Sequence, residues 1–189
     1  LFMGEEYGEP APFLFITDFQ DPALQAAVTC GRREEFAAFG WTGEVPDPQD
    51  PASASRSKLS WDLHTTEPHC RLWDYYRTLL RARRDYPVLG PGGKRRLSAY
   101  GDGERALVVL RRGADGAAAF ALLNIGPETR AIRIRAPAGH WRRLVESGEE
   151  RFGGVGPRTP SLLTVPRAGT AHVELGPWGA AVFLREREI

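Results

Sequence analysis

The sequence is poor in three things that mark whole classes of protein: cysteine, net charge and long apolar runs. It has two cysteines, Cys30 and Cys70, fewer than a disulfide framework needs. We predict reduced thiols in the cytoplasm, although a single bridge between them stays open. Basic residues number 25 and acidic residues 24, so no nucleic-acid partner is predicted. No apolar run approaches the roughly 20 residues that cross a bilayer, so no membrane partner is predicted either.

The first residues have the pattern expected at the end of a buried strand, within a fold. Leu1-Phe2-Met3 is an apolar run closed by Gly4, as at the end of a buried strand. Glu5 and Glu6 follow at once, which excludes a signal peptide. We therefore expect the chain to be a fragment that starts inside an element of secondary structure.

Two helices are predicted before residue 90, separated by a long loop. Asp21-Pro22 forms a cap and first turn for a helix over 23–39, which Gly40 ends. Residues 41–61 are rich in Pro, Asp and Ser and form a loop long enough to be functional. A second, amphipathic helix is predicted over 67–86, capped by Thr66 and ended by Pro87.

The sequence pattern changes after the Gly-Pro-Gly-Gly run at 90–93, where short strands are predicted to begin. Gly and Pro turns separate them, and the Gly113–Gly116 segment signals a hairpin. About seven such strands predict an antiparallel β-sandwich. The predicted strands are Arg105–Arg111, Ala117–Leu123, Ala131–Arg135, His140–Glu146, Ser161–Val165, Ala171–Leu175 and Ala180–Arg185. We therefore predict two domains, 1–92 and 93–189.

Several motifs resemble the α-amylase superfamily, glycoside hydrolase family 13. The run Leu1–Glu9 resembles the end of its eighth barrel strand, and 72–89 resembles its last barrel helix. The segment 106–126 and the run Gly176–Val182 resemble the start and end of its C-terminal β-domain. The resemblance implies the final strand and helix of a (β/α)8 barrel followed by a β-sandwich, that is, α/β plus all-β.

Two further stretches resemble the trehalohydrolase branch of that family. They are Gly31–Phe36 and the loop Val45–Pro51, which Arg56–Leu59 follows. The resemblance implies a parent enzyme that releases trehalose from maltooligosyl trehalose, with that sugar or another α-1,4-glucan as substrate. It also implies that the missing N-terminal barrel portion is a partner of this chain.

The resemblance leaves this chain without catalytic residues. A retaining glycosidase needs two carboxyl groups about 5 Å apart, and in this family they lie on earlier barrel strands. Glu5 and Glu6 cannot replace them, because adjacent side chains on a strand point to opposite sides. His64, His69 and Cys70 supply too few ligands at suitable spacing for a metal. No catalytic residue, metal or cofactor is therefore predicted.

Six residues are predicted to contact substrate. Glu6 and Tyr7 lie at the end of the segment that resembles the eighth barrel strand, at the face where barrel active sites form. The loop after it offers Trp41 to stack on a sugar ring and carboxylate or amide groups to bind hydroxyls, namely Asp47, Gln49 and Asp50. Each of these loop residues could equally make local turns.

Three other assignments remain open from the sequence. The parent could be a glycogen branching enzyme or an α-amylase, which share the barrel and the acidic motif at its edge. The chain could also be a non-catalytic carbohydrate-binding β-sandwich module.

Overall fold

The computed structural model describes residues 1–91, 96–114 and 116–186. They form two compact units, Leu1–His69 and Cys70–Ile189. The predicted division after residue 92 and the tip of the predicted hairpin, Asp115, lie outside the described residues. The domain division at 92 therefore stays a prediction.

In the first unit, the predicted capping signals produce the predicted helix. Helix α1 spans Pro22–Ala38, and the Asp21 carboxylate accepts a hydrogen bond from the Ala23 N–H at 2.9 Å. Gly40 lies just past its end with φ +73°, the left-handed conformation that glycine adopts most easily.

The predicted strand end at the start of the chain is a series of turns. The Glu5 N–H donates to the Phe2 carbonyl at 3.0 Å and the Tyr7 N–H donates to the Gly4 carbonyl at 3.1 Å. Leu1 and Phe2 are exposed. A strand needs a neighbouring strand for its backbone hydrogen bonds, and no strand lies before Leu97 in the described residues.

The long loop contains a short helix that the sequence analysis missed. Helix α2 spans Pro51–Arg56 and begins with the same Asp-Pro pair as α1, Asp50 accepting from the Ala52 N–H at 2.8 Å. Further on, the predicted cap of the next helix is wrong, because Thr66 does not cap it. Its hydroxyl donates to the Leu63 carbonyl at 3.0 Å, at the end of a 3₁₀ segment over Trp61–Thr65.

Helix α3 spans His69–Asp85, and all of it after His69 lies in the second unit. The unit continues through a 3₁₀ turn at Pro87–Leu89 into eight strands among the described residues. The strands are β1 Leu97–Gly101, β2 Ala106–Arg112, β3 Ala118–Asn124, β4 Arg130–Arg135, β5 Gly139–Glu146, β6 Leu162–Val165, β7 Thr170–Leu175 and β8 Ala180–Arg185. Another 3₁₀ turn, Glu150–Phe152, follows β5. Every pairing is antiparallel, in a six-stranded sheet of order β1-β2-β3-β8-β5-β6 and a two-stranded sheet of β4 and β7.

The core of this β-domain follows from the alternation in its strands. In β4, Ile132 and Ile134 are fully buried while Arg133 between them and Arg135 after them face solvent. Phe120 lies at the centre of the core, with its ring 4.8 Å from that of Trp141 and 4.9 Å from that of Phe183. The predicted antiparallel sandwich is therefore confirmed.

Helix α3 packs within the same unit as the β-domain. The Tyr75 ring lies 5.0 Å from Phe152, and the Arg71 guanidinium donates to the Glu150 carbonyl at 3.3 Å. After the helix, Arg111 donates to the Leu89 carbonyl at 2.7 Å and to the Gly90 carbonyl. These bonds tie both ends of the helical segment to the β-domain.

Candidate functional site

The predicted rim residue Tyr7 lies in a small buried network rather than at an open surface. Tyr7 is fully buried, and its hydroxyl donates to Glu9 Oε2 at 3.1 Å. Its ring lies 6.3 Å from both Trp61 and His64. The His69 Nδ1 bonds its carbonyl at 2.7 Å. The structure thus gives Tyr7 a clear role in holding this unit together.

Glu9, which the sequence analysis did not single out, joins the two ends of the unit. Its carboxylate accepts hydrogen bonds from the Ala11 N–H at 2.9 Å and the Ser60 N–H at 2.6 Å, besides the Tyr7 hydroxyl. Burial acts to raise the pKa of Glu9, but these three donors outweigh it and hold the pKa below its ordinary value. Burial, together with the hydrogen bond to Glu9, raises the pKa of Tyr7.

Acid should release this network. A carboxyl whose pKa is lowered by folding stabilises the fold above its unfolded-state pKa, and the effect is lost as pH falls through the folded-state pKa. We expect the Ser60 amide proton to shift, in an NMR titration, with a midpoint below the ordinary 4.5 of a glutamate. The Glu9→Gln variant should show no such titration. A midpoint at or above 4.5 would contradict the assignment.

Glu6 lies next to this network, but its side chain makes no hydrogen bond with the network's described residues. Its side chain is partly buried, and its Oε2 atom is buried without a hydrogen-bond partner among the described residues. A buried carboxylate oxygen without a partner is unfavourable, so this atom is suited to a donor that the described chain does not supply. The predicted contact of Glu6 with substrate stays a prediction.

The predicted loop residues fasten the loop to the rest of its unit. Gln49 donates to the Thr17 hydroxyl at 2.7 Å and accepts from the Phe19 N–H at 3.3 Å. Asp50 caps α2, and Trp41 packs edge-on against Phe36 at 6.2 Å while 58% of it stays exposed. The turn-forming alternative is therefore realised for Asp50, and Gln49 has used both ends of its amide.

The two carboxylate oxygens of Asp47 have different surroundings. Its Oδ1 accepts from the Gln49 N–H at 3.0 Å and the Thr29 hydroxyl at 2.9 Å. These bonds hold the pKa of Asp47 below its ordinary value, with a smaller contribution from the Arg33 charge and against the effect of burial. No hydrogen bond within the described ranges reaches its Oδ2, which leaves that oxygen able to accept one.

Asp47 and Gln49 line a cleft of about 520 Å³ along α1. Its other walls are polar and apolar side chains of that helix, including Gln25, Thr29 and Arg33. Glu6, Tyr7, Trp41 and Asp50 do not line it. The structure therefore brings two of the six predicted residues into one concave surface.

The histidines near the start of α3 are used in hydrogen bonds. His64 Nδ1 bonds the Trp61 carbonyl, and His69 Nδ1 bonds that of Tyr7. Over the parts of the chain that the structure describes, no group of three or more His, Cys, Asp or Glu side chains is placed to hold a metal ion. Cys30 and Cys70 are both free thiols. Among the described helices, none combines the length and apolarity needed to cross a membrane.

Comparison with known proteins identifies the β-domain. Residues 99–186 match the family described as alpha amylase, C-terminal all-beta domain. The structure is similar to that of an alpha amylase from Salmonella typhimurium, with a TM-score of 0.71 and 28% identity, over 97% of this chain and 27% of that one. Residues 99–186 are therefore similar to the C-terminal all-beta domain of alpha amylases, the superfamily that the motifs of this chain predicted.

The curated relatives narrow the similarity to one kind of enzyme. The chain is 39% identical to the malto-oligosyltrehalose trehalohydrolase of Deinococcus radiodurans over 155 residues, which are 80% of this chain and 25% of that protein. It is 46% identical to that of Brevibacterium helvolum over 94 residues, 49% of this chain and 16% of that protein. The chain spans a quarter or less of the length of these relatives.

Proposed function

We propose that this chain is the C-terminal part of a retaining glycosidase that hydrolyses the α-1,4 bond next to the trehalose end of maltooligosyl trehalose. The observation that carries this is the 39% identity to a trehalohydrolase over 80% of the chain. The catalytic carboxylates would lie in the preceding barrel, about 5 Å apart as retention requires. This chain would close the barrel and contribute substrate contacts.

The parent protein tests this assignment directly. It should release trehalose from maltooligosyl trehalose, and NMR of the fresh product should show retained anomeric configuration. Maltoheptaose, which lacks a trehalose end, is the control substrate. Branching of amylose or release of maltose without trehalose would replace the assignment with a branching enzyme or an α-amylase. The present chain alone should be inactive.

Within the first unit, the α1 cleft is the part we propose as a substrate contact. It is concave, and Asp47 and Arg33 line it together with the apolar residues Pro22 and Ala26, the mixture that sugar hydroxyls and ring faces require. Trp41 offers an exposed ring on the same segment of chain. The contacts of Glu6, Tyr7, Gln49 and Asp50 with substrate remain part of the proposal.

Substitution of Asp47 should weaken substrate binding by the parent enzyme. Asparagine keeps the Oδ1 acceptor that orders the loop but removes the charge, and charge-assisted hydrogen bonds are about twice as strong as neutral ones. We expect Asp47→Asn to raise KM for maltooligosyl trehalose about tenfold with little change in kcat. Asp21→Asn is the matched control, because Asp21 likewise accepts an N–H two residues on. Equal KM values for the two variants would remove Asp47 from the site.

A cytoplasmic location and a role in forming trehalose complete the proposal. Two free thiols are what a reducing compartment allows. Fractionation of the native organism, followed by detection of the parent protein, tests the location.

A further inference from the structure

A second cleft, of about 410 Å³, lies on the β-domain, and none of the six residues predicted to contact substrate lines it. Its walls are the loop that follows β5, residues 147–158, and the turn Gly176–Gly179 before β8. Five of the wall residues are glycines. Backbone approaches backbone closely here, since a Cβ on Gly154 would lie 2.1 Å from the Gly148 carbonyl oxygen.

Trp178 stands at the rim of this cleft in an unfavourable backbone conformation. The Gly179 N–H donates to the Gly176 carbonyl at 3.2 Å, with Pro177 and Trp178 between them, and Trp178 has φ +50°. A turn with proline second and a positive φ third is of type II, where glycine is favoured at the third position. A bulky residue there is an outlier, and such strain concentrates at functional sites.

The position of the Trp178 ring gives no structural reason for that strain. The residue is 69% exposed. No ring contact and no hydrogen bond to its indole N–H occurs among the residues that the structure describes, and its backbone N–H alone is held, by the Gly126 carbonyl at 2.9 Å. The turn thus presents a flat aromatic face and a free donor to solvent.

Two polar residues, Arg158 and Ser147, line the same cleft as Trp178. The Arg158 guanidinium makes neither an ion pair nor a hydrogen bond within the described part of the chain. Its backbone is fixed, because the Arg158 N–H donates to the buried Glu146 carboxylate at 2.8 Å. The Ser147 hydroxyl accepts from the Ala180 N–H at 2.9 Å and keeps its own proton to donate.

This combination selects a neutral polyhydroxylated ring over other ligands. A pyranose has an apolar face of C–H groups that packs on an aromatic ring, and hydroxyls at its edge that bond to donors such as arginine and serine. Glu146 also lines the cleft, but both of its oxygens already accept hydrogen bonds. The carboxylate of Glu146 is therefore not available to bind a cationic ligand. The one arginine provides too little positive charge to bind a polyanion.

The location of the cleft favours an α-1,4-glucan, and this choice of sugar rests on the proposed function. The loop that forms one wall contacts the first half of α3 through Arg71 and Tyr75. A helix that follows a barrel strand begins at the face that carries the active site. If α3 is the last barrel helix, the cleft lies toward that face, where the far end of a long substrate emerges.

We propose that the cleft between residues 147–158 and Gly176–Gly179 binds glucose units of an α-1,4-glucan, with Trp178 as the stacking platform and Arg158 and Ser147 as hydrogen-bond donors. The site holds chain far from the cleaved bond. It should therefore matter for long substrates and not for short ones.

Trp178→Gly separates binding from folding, because glycine is the favoured residue at that turn position. In the full-length parent protein we expect calorimetry to show β-cyclodextrin binding weakened at least tenfold by this substitution. The melting temperature should be unchanged or higher. Trehalose release from a short substrate, maltotriosyl trehalose, should be unaffected. Trp178→Phe keeps a flat ring and should bind within about threefold of the unsubstituted protein.

Three outcomes would overturn the proposal. One is equal β-cyclodextrin affinity in Trp178→Gly and the unsubstituted protein. Another is no binding at all, and a third is Trp178 fluorescence shielded from acrylamide in the unliganded parent, which would mean that another segment covers the cleft. Failure of trehalose release alone, with glucan binding that still depends on Trp178, would reject the proposed function and leave this site standing.

Discussion

Alanine in place of Trp141 should lower the free energy of unfolding of the β-domain by about 3–5 kcal/mol, the usual cost of truncating a buried large aromatic residue. Trp141 is fully buried in β5, and its ring packs 4.8 Å from Phe120. Its indole N–H also donates to the Pro137 carbonyl at 3.1 Å, so truncation leaves both a cavity and an acceptor without its partner.

Guanidinium chloride unfolding of the chain, followed by circular dichroism, measures this effect. The matched control is Leu162→Ala on the adjacent strand β6, because Leu162 is half exposed and should cost under about 1 kcal/mol. In a domain of this size, the Trp141 variant should melt more than about 10 °C lower. Equal losses in the two variants would mean that the core does not centre on Trp141.

Glu146→Ala should destabilise the same domain by about 3–5 kcal/mol through a different mechanism, the removal of one partner of a buried ion pair. Glu146 is only 2% exposed. It accepts hydrogen bonds from the Arg158 N–H, the Thr159 N–H and the Thr159 hydroxyl, and lies 3.6 Å from the Arg143 guanidinium. Without it, the buried Thr159 N–H has no acceptor, and the Arg143 guanidinium loses its counter-charge while keeping its bond to the Thr159 carbonyl.

Two further variants show whether the carboxylate itself is responsible. Glu146→Gln keeps one acceptor oxygen and should lose roughly half as much stability, because an unmade buried hydrogen bond costs about 1–3 kcal/mol. Glu174→Ala, at an exposed position on β7, should change stability by less than about 0.5 kcal/mol. If Glu146→Ala were as mild as Glu174→Ala, the network would have no net stabilising effect.

Most of the β-domain could be predicted from sequence because its strands carry their own signal. The Ile and Arg alternation of β4 and the glycine and proline turns fixed seven strands to within one or two residues. Strand β1, Leu97–Gly101, was missed. It is an edge strand in which only Tyr100 is partly buried, so pairing with β2, and not an apolar pattern, makes it a strand.

The first unit was harder to predict, because its residues depend on partners distant in sequence. Asp21 and Gly40 act locally, and the helix between them was predicted correctly. Glu9 bonds Ser60, a contact across 51 positions, and no local pattern marks it. The same holds for Gln49 and Thr17, so no local pattern showed that Gln49 holds its own loop, and its contact with sugar stays a prediction.

The second cleft was missed for a related reason. The Gly-Pro-Trp-Gly run at 176–179 was interpreted as part of a closing strand motif, and the backbone angles show how unusual the tryptophan is. A sequence signal was available, since type II turns favour glycine where this chain has Trp178.

The bonds from Arg111 to the carbonyls of Leu89 and Gly90, with the Tyr75–Phe152 contact, bear on how such proteins recombine in evolution. A gene fusion that replaced everything before residue 93 would remove the acceptors of Arg111 and the aromatic neighbour of Phe152. The sandwich and helix α3 therefore pack as one module, and we expect crossover points between homologous genes to fall before residue 70 more often than in the glycine-rich run at 90–93.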